Sequence, residues 1–108
     1  MDNDKAYILH ILDEIENINK FLLSVSFEDF IVDTKTTKAV ERSLEIIGEA
    51  AKSLSEEFKK NNEQIPWRDV AGLRDKIIHH YFDVDYQTIW DIVKNNLPEL
   101  KEVLIKYK

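Results

Sequence analysis

The sequence predicts an all-α protein, an antiparallel four-helix bundle with one short extra helical turn. Three observations carry that expectation. Apolar residues recur at spacings of three and four along most of the chain, the stripe of amphipathic helices. Only two glycines and two prolines occur in 108 residues, which leaves little turn chemistry for hairpins. A hydrophobic share of 44% beside 33% charged residues is the balance of a soluble helical domain. Residues 1–108 read as one domain with a real but modest core, and short connections make neighbouring helices antiparallel.

The first helix is expected from about Asp4 to Val25, with Ile8, Ile11, Leu12, Ile15, Ile18, Leu22 and Val25 on its buried stripe. Asp13, Glu14 and Glu16 fall mostly outside that stripe, and His10 reads as an exposed or boundary residue. Ser26 followed by Asp29 is a weak capping-box pattern. Phe27, Phe30 and Ile31 then form a short turn suited to plug one end of the bundle. Asp33 or Thr34 caps a second long helix, about Thr36 to Lys60, with Val40, Leu44, Ile47, Ala51, Leu54 and Phe58 facing inward. Gly48 costs that helix about 1 kcal/mol relative to alanine. Close approach of another helix to the small patch Gly48, Ala50 and Ala51, in the same chain or a second subunit, is the expected compensation. Glu49 lies beside that patch.

Asn61 to Ile65 is polar and reads as a loop. Pro66 suits the first turn of a third helix, where its missing N–H does no harm, and Val70, Leu73 and Ile77 give that helix its core face. The stretch Phe82 to Asp85 breaks the pattern, and Asp85 is a fitting N-cap for a fourth helix. That helix carries Ile89, Trp90, Val93, Leu97, Leu100 and Leu104. Pro98 is expected to kink or divide it near Asn95 and Asn96.

Composition narrows the function classes. No apolar run approaches the ~20 residues of a membrane span, and the start lacks the basic and apolar regions of a secretory signal. Cysteine is absent, which fits a cytoplasmic protein and removes thiolate chemistry. The formal net charge is -6. Its excess of acids falls on residues 1–33, and the remainder balances. Such a chain is a poor general binder of nucleic acid, because phosphate neutralisation needs clustered lysine and arginine and no contiguous basic stripe is visible. This weighs against nucleic-acid chemistry without excluding it, and DNA is not expected as a partner.

The scarce polar chemistry is concentrated instead. Of three histidines and three arginines in the chain, Arg74, His79 and His80 fall within seven residues, next to Tyr81. Arg74 and Tyr81 are seven apart and share a helical face, whereas Arg74 and His79 lie roughly 140° apart on an unbroken helix. Asp75 is four residues before His79, close enough to orient the imidazole. Gathering arginine and histidine around one atom needs the helix to end near Ile78, or a second copy of it in a two-fold dimer. Histidine could then move the proton of a ribose 2′-OH or of the leaving oxygen. Arginine could hold the phosphate and the charge developing on it. Neighbouring His79 and His80 point apart and make a poor chelate, so neither a metal site nor a cofactor is implied. On residue types alone, an arginine and a histidine on a helix are more often surface and boundary residues than catalytic ones.

At these residues the sequence resembles the HEPN superfamily, and within it the HepT-like proteins. The motif of arginine, four residues, histidine, any residue and tyrosine is matched by Arg74, His79 and Tyr81, with Asp75 at the usual polar place. The run Arg42 to Ser55 resembles the family's second-helix signature, and Pro66-Trp67-Arg68, Leu73-Arg74 and Ile89-Trp90-Asp91 also fit. The resemblance implies a homodimeric, metal-independent endoribonuclease, the toxin of a type II or VII-like toxin–antitoxin pair. Arg74 and His79 would be catalytic at a dimer-interface cleft, with Asp75 in support. The implied partner is an MntA-like nucleotidyltransferase antitoxin that silences the enzyme by adding AMP to Tyr81. The implied substrate is RNA, transfer RNA among the candidates. The acidic balance favours a rival expectation, a non-catalytic helical module that binds a nucleotidyltransferase or a nucleotide.

Overall fold

The computed structural model describes residues 2–78 and 85–108, and every regular element among them is helical. The chain order is α1 (Asp2–Phe21), α2 (Phe27–Val32), α3 (Thr34–Lys52), α4 (Glu56–Asn61), α5 (Trp67–Ala71), α6 (Leu73–Ile78), α7 (Tyr86–Asp91) and α8 (Leu97–Leu104). A π-helical turn, Ile92–Asn96, joins α7 to α8, and a 3-10 turn, Ile105–Tyr107, follows α8. The long helices α1 and α3 pack along each other, α5 and α6 lie across α3, and α8 covers α1.

The apolar stripes predicted from spacing are the core. Ile8, Ile11, Ile15, Ile18 and Leu22 of α1 meet Val40, Leu44, Ile47 and Ala51 of α3, and Leu73, Ile89, Val93, Leu97, Leu100 and Leu104 close the far side. Leu12, Val25, Val70 and Trp90 are half-buried against it, and His10 is exposed. The side chain of Ile77 lies outside the described residues. Phe30 is fully buried, packing on Tyr86 and Trp90 with ring centroids 6.1 and 5.4 Å away, so α2 does plug one end of the bundle. Ile31, expected to share that task, faces outward instead.

Local caps set most boundaries. The Ser26 hydroxyl accepts from the Asp29 N–H, the Asp33 carboxylate from Thr36 N–H and the Asp85 carboxylate from Thr88 N–H, each satisfying a donor that the helix start leaves open. The first helix ends at Phe21 rather than Val25. Ser24 there takes a left-handed conformation at φ 61°, which an α-helix cannot continue through.

The second long helix is not continuous to Lys60. It stops at Lys52, and Ser55 starts α4 by accepting from Phe58 N–H. What holds the break is distant in sequence: both the N–H and the hydroxyl of Ser55 donate to the Asp4 carboxylate of α1, at 2.8 and 2.6 Å. Burial pushes that carboxyl upward, but the two Ser55 hydrogen bonds and the Lys59 charge outweigh it and hold Asp4 below its ordinary range. Nor is the loop after α4 merely solvated. Asn62 and Ile65 are buried. The Asn62 side chain donates to Phe58 O and accepts from Tyr107 OH, while its carbonyl accepts from Trp67 Nε1.

With α1 as the first limb of the bundle and α3 and α4 as the second, the third limb (67–78) bends at Gly72 into α5 and α6, and the fourth (86–104) widens before Pro98. In the fourth limb Leu97 N–H reaches back five residues to Ile92 O. Proline brings no N–H and crowds the preceding turn, and the wider π turn accommodates both.

Candidate active site

Arg74 is the second residue of α6, and the packing beneath that helix fixes where it stands. Gly48 on α3 makes room: a Cβ there would lie 3.2 Å from Val70 O, 3.4 Å from Ala71 O and 3.7 Å from Leu73 Cβ. Without a side chain at position 48, the backbone of α5 and the start of α6 rest directly on α3. The small patch is thus covered within the chain itself. The close approach brings Arg74 beside Glu49, with Nη1 3.7 Å from Oε1.

The pair is loose and wet, its two side chains 57% and 60% exposed. An ion pair of this kind contributes about 0–1 kcal/mol, so it orients more than it stabilises. A phosphate offering two oxygens to the guanidinium fork makes a stronger contact than one carboxylate oxygen at this distance. Asp75, next on α6, is also exposed. His79, His80 and Tyr81 lie outside the described residues, as does the predicted pattern break from Phe82. Of the predicted cluster, the structure therefore places Arg74 and Asp75.

Glu49 is the partner that spacing could not assign to Arg74. Its signal was its place beside the small-residue patch, on the face where another helix had to approach. A separate cleft of about 90 Å³ opens between α5–α6 and the fourth limb, lined by apolar Ile65, Val70, Leu73, Leu97 and Leu100 with Lys76 and Asn96 at its edge. Among the described residues no group of three or more His, Asp or Glu could hold a metal ion. No helix among them is long and apolar enough to cross a membrane.

An all-helical bundle with an exposed arginine on a short helix laid across its long second limb is the class of protein this fold and site define. Comparison with known families narrows it. The profile of the family described as "Ribonuclease HepT-like" matches residues 11–107, and the chain belongs to that family. Relatives agree. "Putative RNase TTE0752" of Caldanaerobacter subterraneus subsp. tengcongensis is 46% identical over the whole of both chains. "Putative RNase MJ0127" of Methanocaldococcus jannaschii is 48% identical, covering 92% of this chain and 83% of its own. "Probable ribonuclease HepT" of Thermococcus cleftensis is 48% identical, covering 90% of this chain and 88% of its own. No solved structure matches.

Proposed function

We propose that this chain is an endoribonuclease toxin in which Arg74 binds the scissile phosphate and His79 is the general acid or base. The observation that carries the reading is Arg74 itself. It stands exposed on α6, held toward α3 by a carboxylate loose enough to yield to a phosphate, in a chain of the HepT-like ribonuclease family. In the reaction the ribose 2′-oxygen attacks the adjacent phosphorus and its proton passes to one imidazole. The 5′-oxygen leaves and takes a proton from another, which gives a 2′,3′-cyclic phosphate and a free 5′-OH. Arg74 neutralises the charge that gathers on the phosphoryl oxygens, and the sequence needs no metal for these steps. Asp75 orients His79.

A guanidinium more than half exposed in one chain is not enclosed. A second copy, paired through a two-fold axis, supplies the other wall of the cleft and the second His79. Tyr81 is the acceptor for AMP from a nucleotidyltransferase antitoxin: its hydroxyl oxygen attacks the α-phosphorus of ATP, losing its proton as pyrophosphate leaves. The bulk and negative charge added beside the cleft repel an RNA backbone.

The test is RNA cleavage in EDTA, together with growth arrest on expression, for wild type beside Arg74→Ala and His79→Ala. Loss of a positioned acid or base costs roughly 10²–10⁴-fold in rate and loss of a donor to the developing charge roughly 10²–10³-fold, so both variants are expected to fall at least a hundredfold and to be harmless to cells. Variants that cleave and arrest like wild type would remove both residues from the chemistry.

A further inference from the structure

We propose that the groove between the end of α3, α4 and α5 is the track by which single-stranded RNA reaches Arg74. This rests on the ribonuclease reading and adds the surface that holds the substrate. The groove is lined by Lys52, Lys59, Lys60 and Arg68 against two carboxylates, Glu56 and Glu63, in a chain whose net charge is -6. These cations are spread over seventeen positions and three helices, and only folding brings them together.

Lys59 is already engaged, 3.8 Å from Glu56 and donating to Lys52 O at 3.4 Å. Lys52, Lys60 and Arg68 are exposed and have no ion-pair partner among the described residues. The groove leads toward the candidate site. On α3, Lys52 stands three residues after Glu49, and on the third limb Ala71, which also lines the groove, stands three before Arg74. The Arg74–Glu49 pair therefore lies about one helical turn, ~5 Å, further along the same seam. Free cations beside an open channel are what a phosphate backbone requires, and such contacts bind without regard to sequence.

The probe is a fluorescent 2′-O-methyl oligonucleotide, which lacks the attacking hydroxyl and so reports binding independently of cleavage. Anisotropy titrations from 50 to 200 mM salt compare wild type with Lys52→Gln/Lys60→Gln/Arg68→Gln. Each phosphate contact on a single strand contributes about 0.7 to the slope of log K against log salt. Losing three should flatten the slope by about 2, so that wild type loses roughly 15- to 20-fold more affinity over that range than the variant. With cleavable RNA the variant should show a raised KM and an unchanged kcat. The reciprocal Glu56→Gln/Glu63→Gln protein should bind several-fold more tightly. All five side chains are on the surface, and circular dichroism verifies folding. An unchanged salt slope in the triple variant overturns the groove, and so does a loss confined to binding a protein partner. Should wild type still cleave in that case, the ribonuclease reading survives. A groove-dependent slope in a protein that cuts no RNA sinks the catalytic reading and leaves the groove standing.

Discussion

Replacing Gly48 by alanine tests whether the seam that carries Arg74 is as tight as its geometry says. Two opposed effects can be sized. In mid-helix alanine should gain about 1 kcal/mol over glycine. Its Cβ, however, would sit 3.2 and 3.4 Å from two carbonyl oxygens of the third limb and 3.7 Å from Leu73 Cβ. Those oxygens belong to backbone, which cannot swing aside like the tip of a lysine, and overpacking of this kind costs about 1–3 kcal/mol. The net expectation is a loss of about 0–2 kcal/mol, read as a Tm fall of several degrees in thermal unfolding, since 1 kcal/mol moves a domain of this size by about 4–8 °C. Gly48→Val, bulkier and β-branched, should fall further. Relief of the clash would push α5 and α6 away from α3 and part Arg74 from Glu49, so RNA cleavage should drop while the protein remains folded. A Tm rise of about 4 °C or more would mean that the full helix gain arrived without steric cost. The close approach argued for position 48 would then be wrong.

Asn62→Ala removes two side-chain hydrogen bonds in a buried site; a loss of about 2–3 kcal/mol is expected in urea unfolding, with Trp67 fluorescence as the probe. Asp4 is held below its ordinary value of 3.8. Its contribution is therefore present above that pH and lost as pH falls through the lower folded value, so Asp4→Asn should lower Tm at pH 7 and weaken the acid dependence below pH 4. Glu41 behaves oppositely. Burial, with the Glu45 charge adding and Lys38 opposing, raises its carboxyl above 4.5. The folded state then binds the extra proton, and stability falls as pH climbs through the window just above 4.5. Glu41→Gln should raise Tm at pH 7 and leave it unchanged well below pH 4.5.

The parts of the fold legible in the sequence were those decided within one or two helical turns. Ser26, Asp33 and Asp85 cap helices because their partners lie three residues on, and the apolar stripes of α1 and α3 follow from a period of 3.6 residues. The break between α3 and α4 hid behind that same period. Leu54 and Phe58 stay in phase with Ala51 and remain buried, so the stripe runs on while the backbone does not. Its cause, the Asp4 carboxylate, comes from the opposite end of the chain. A local sign was present in Ser55 followed by Glu56 and Glu57, a cap with acids in the first turn, but it was weaker than the periodicity.

The candidate site divides along the same line. Arg74 could be singled out because the chain holds so few arginines and histidines, and Asp75 because it stands four residues before His79; both signals lie within the sequence itself. Glu49 could be noticed but not paired, because pairing depends on how closely α6 lies on α3, which Gly48 decides. The basic groove was invisible, since a net charge of -6 with no contiguous run of lysines argued against a phosphate-binding surface. Net charge is a sum over the molecule, whereas a backbone phosphate feels the few charges within about 8 Å at physiological salt. The acids concentrated on residues 1–33 set the sum; the turn at Ser55 and the bend at Gly72 set the local field. Ser55 starts α4 and so directs Lys59 and Lys60 toward Arg68 and Lys52. The same Asp4–Ser55 contact that spacing could not foresee thus gives an acidic chain a positive groove next to its arginine.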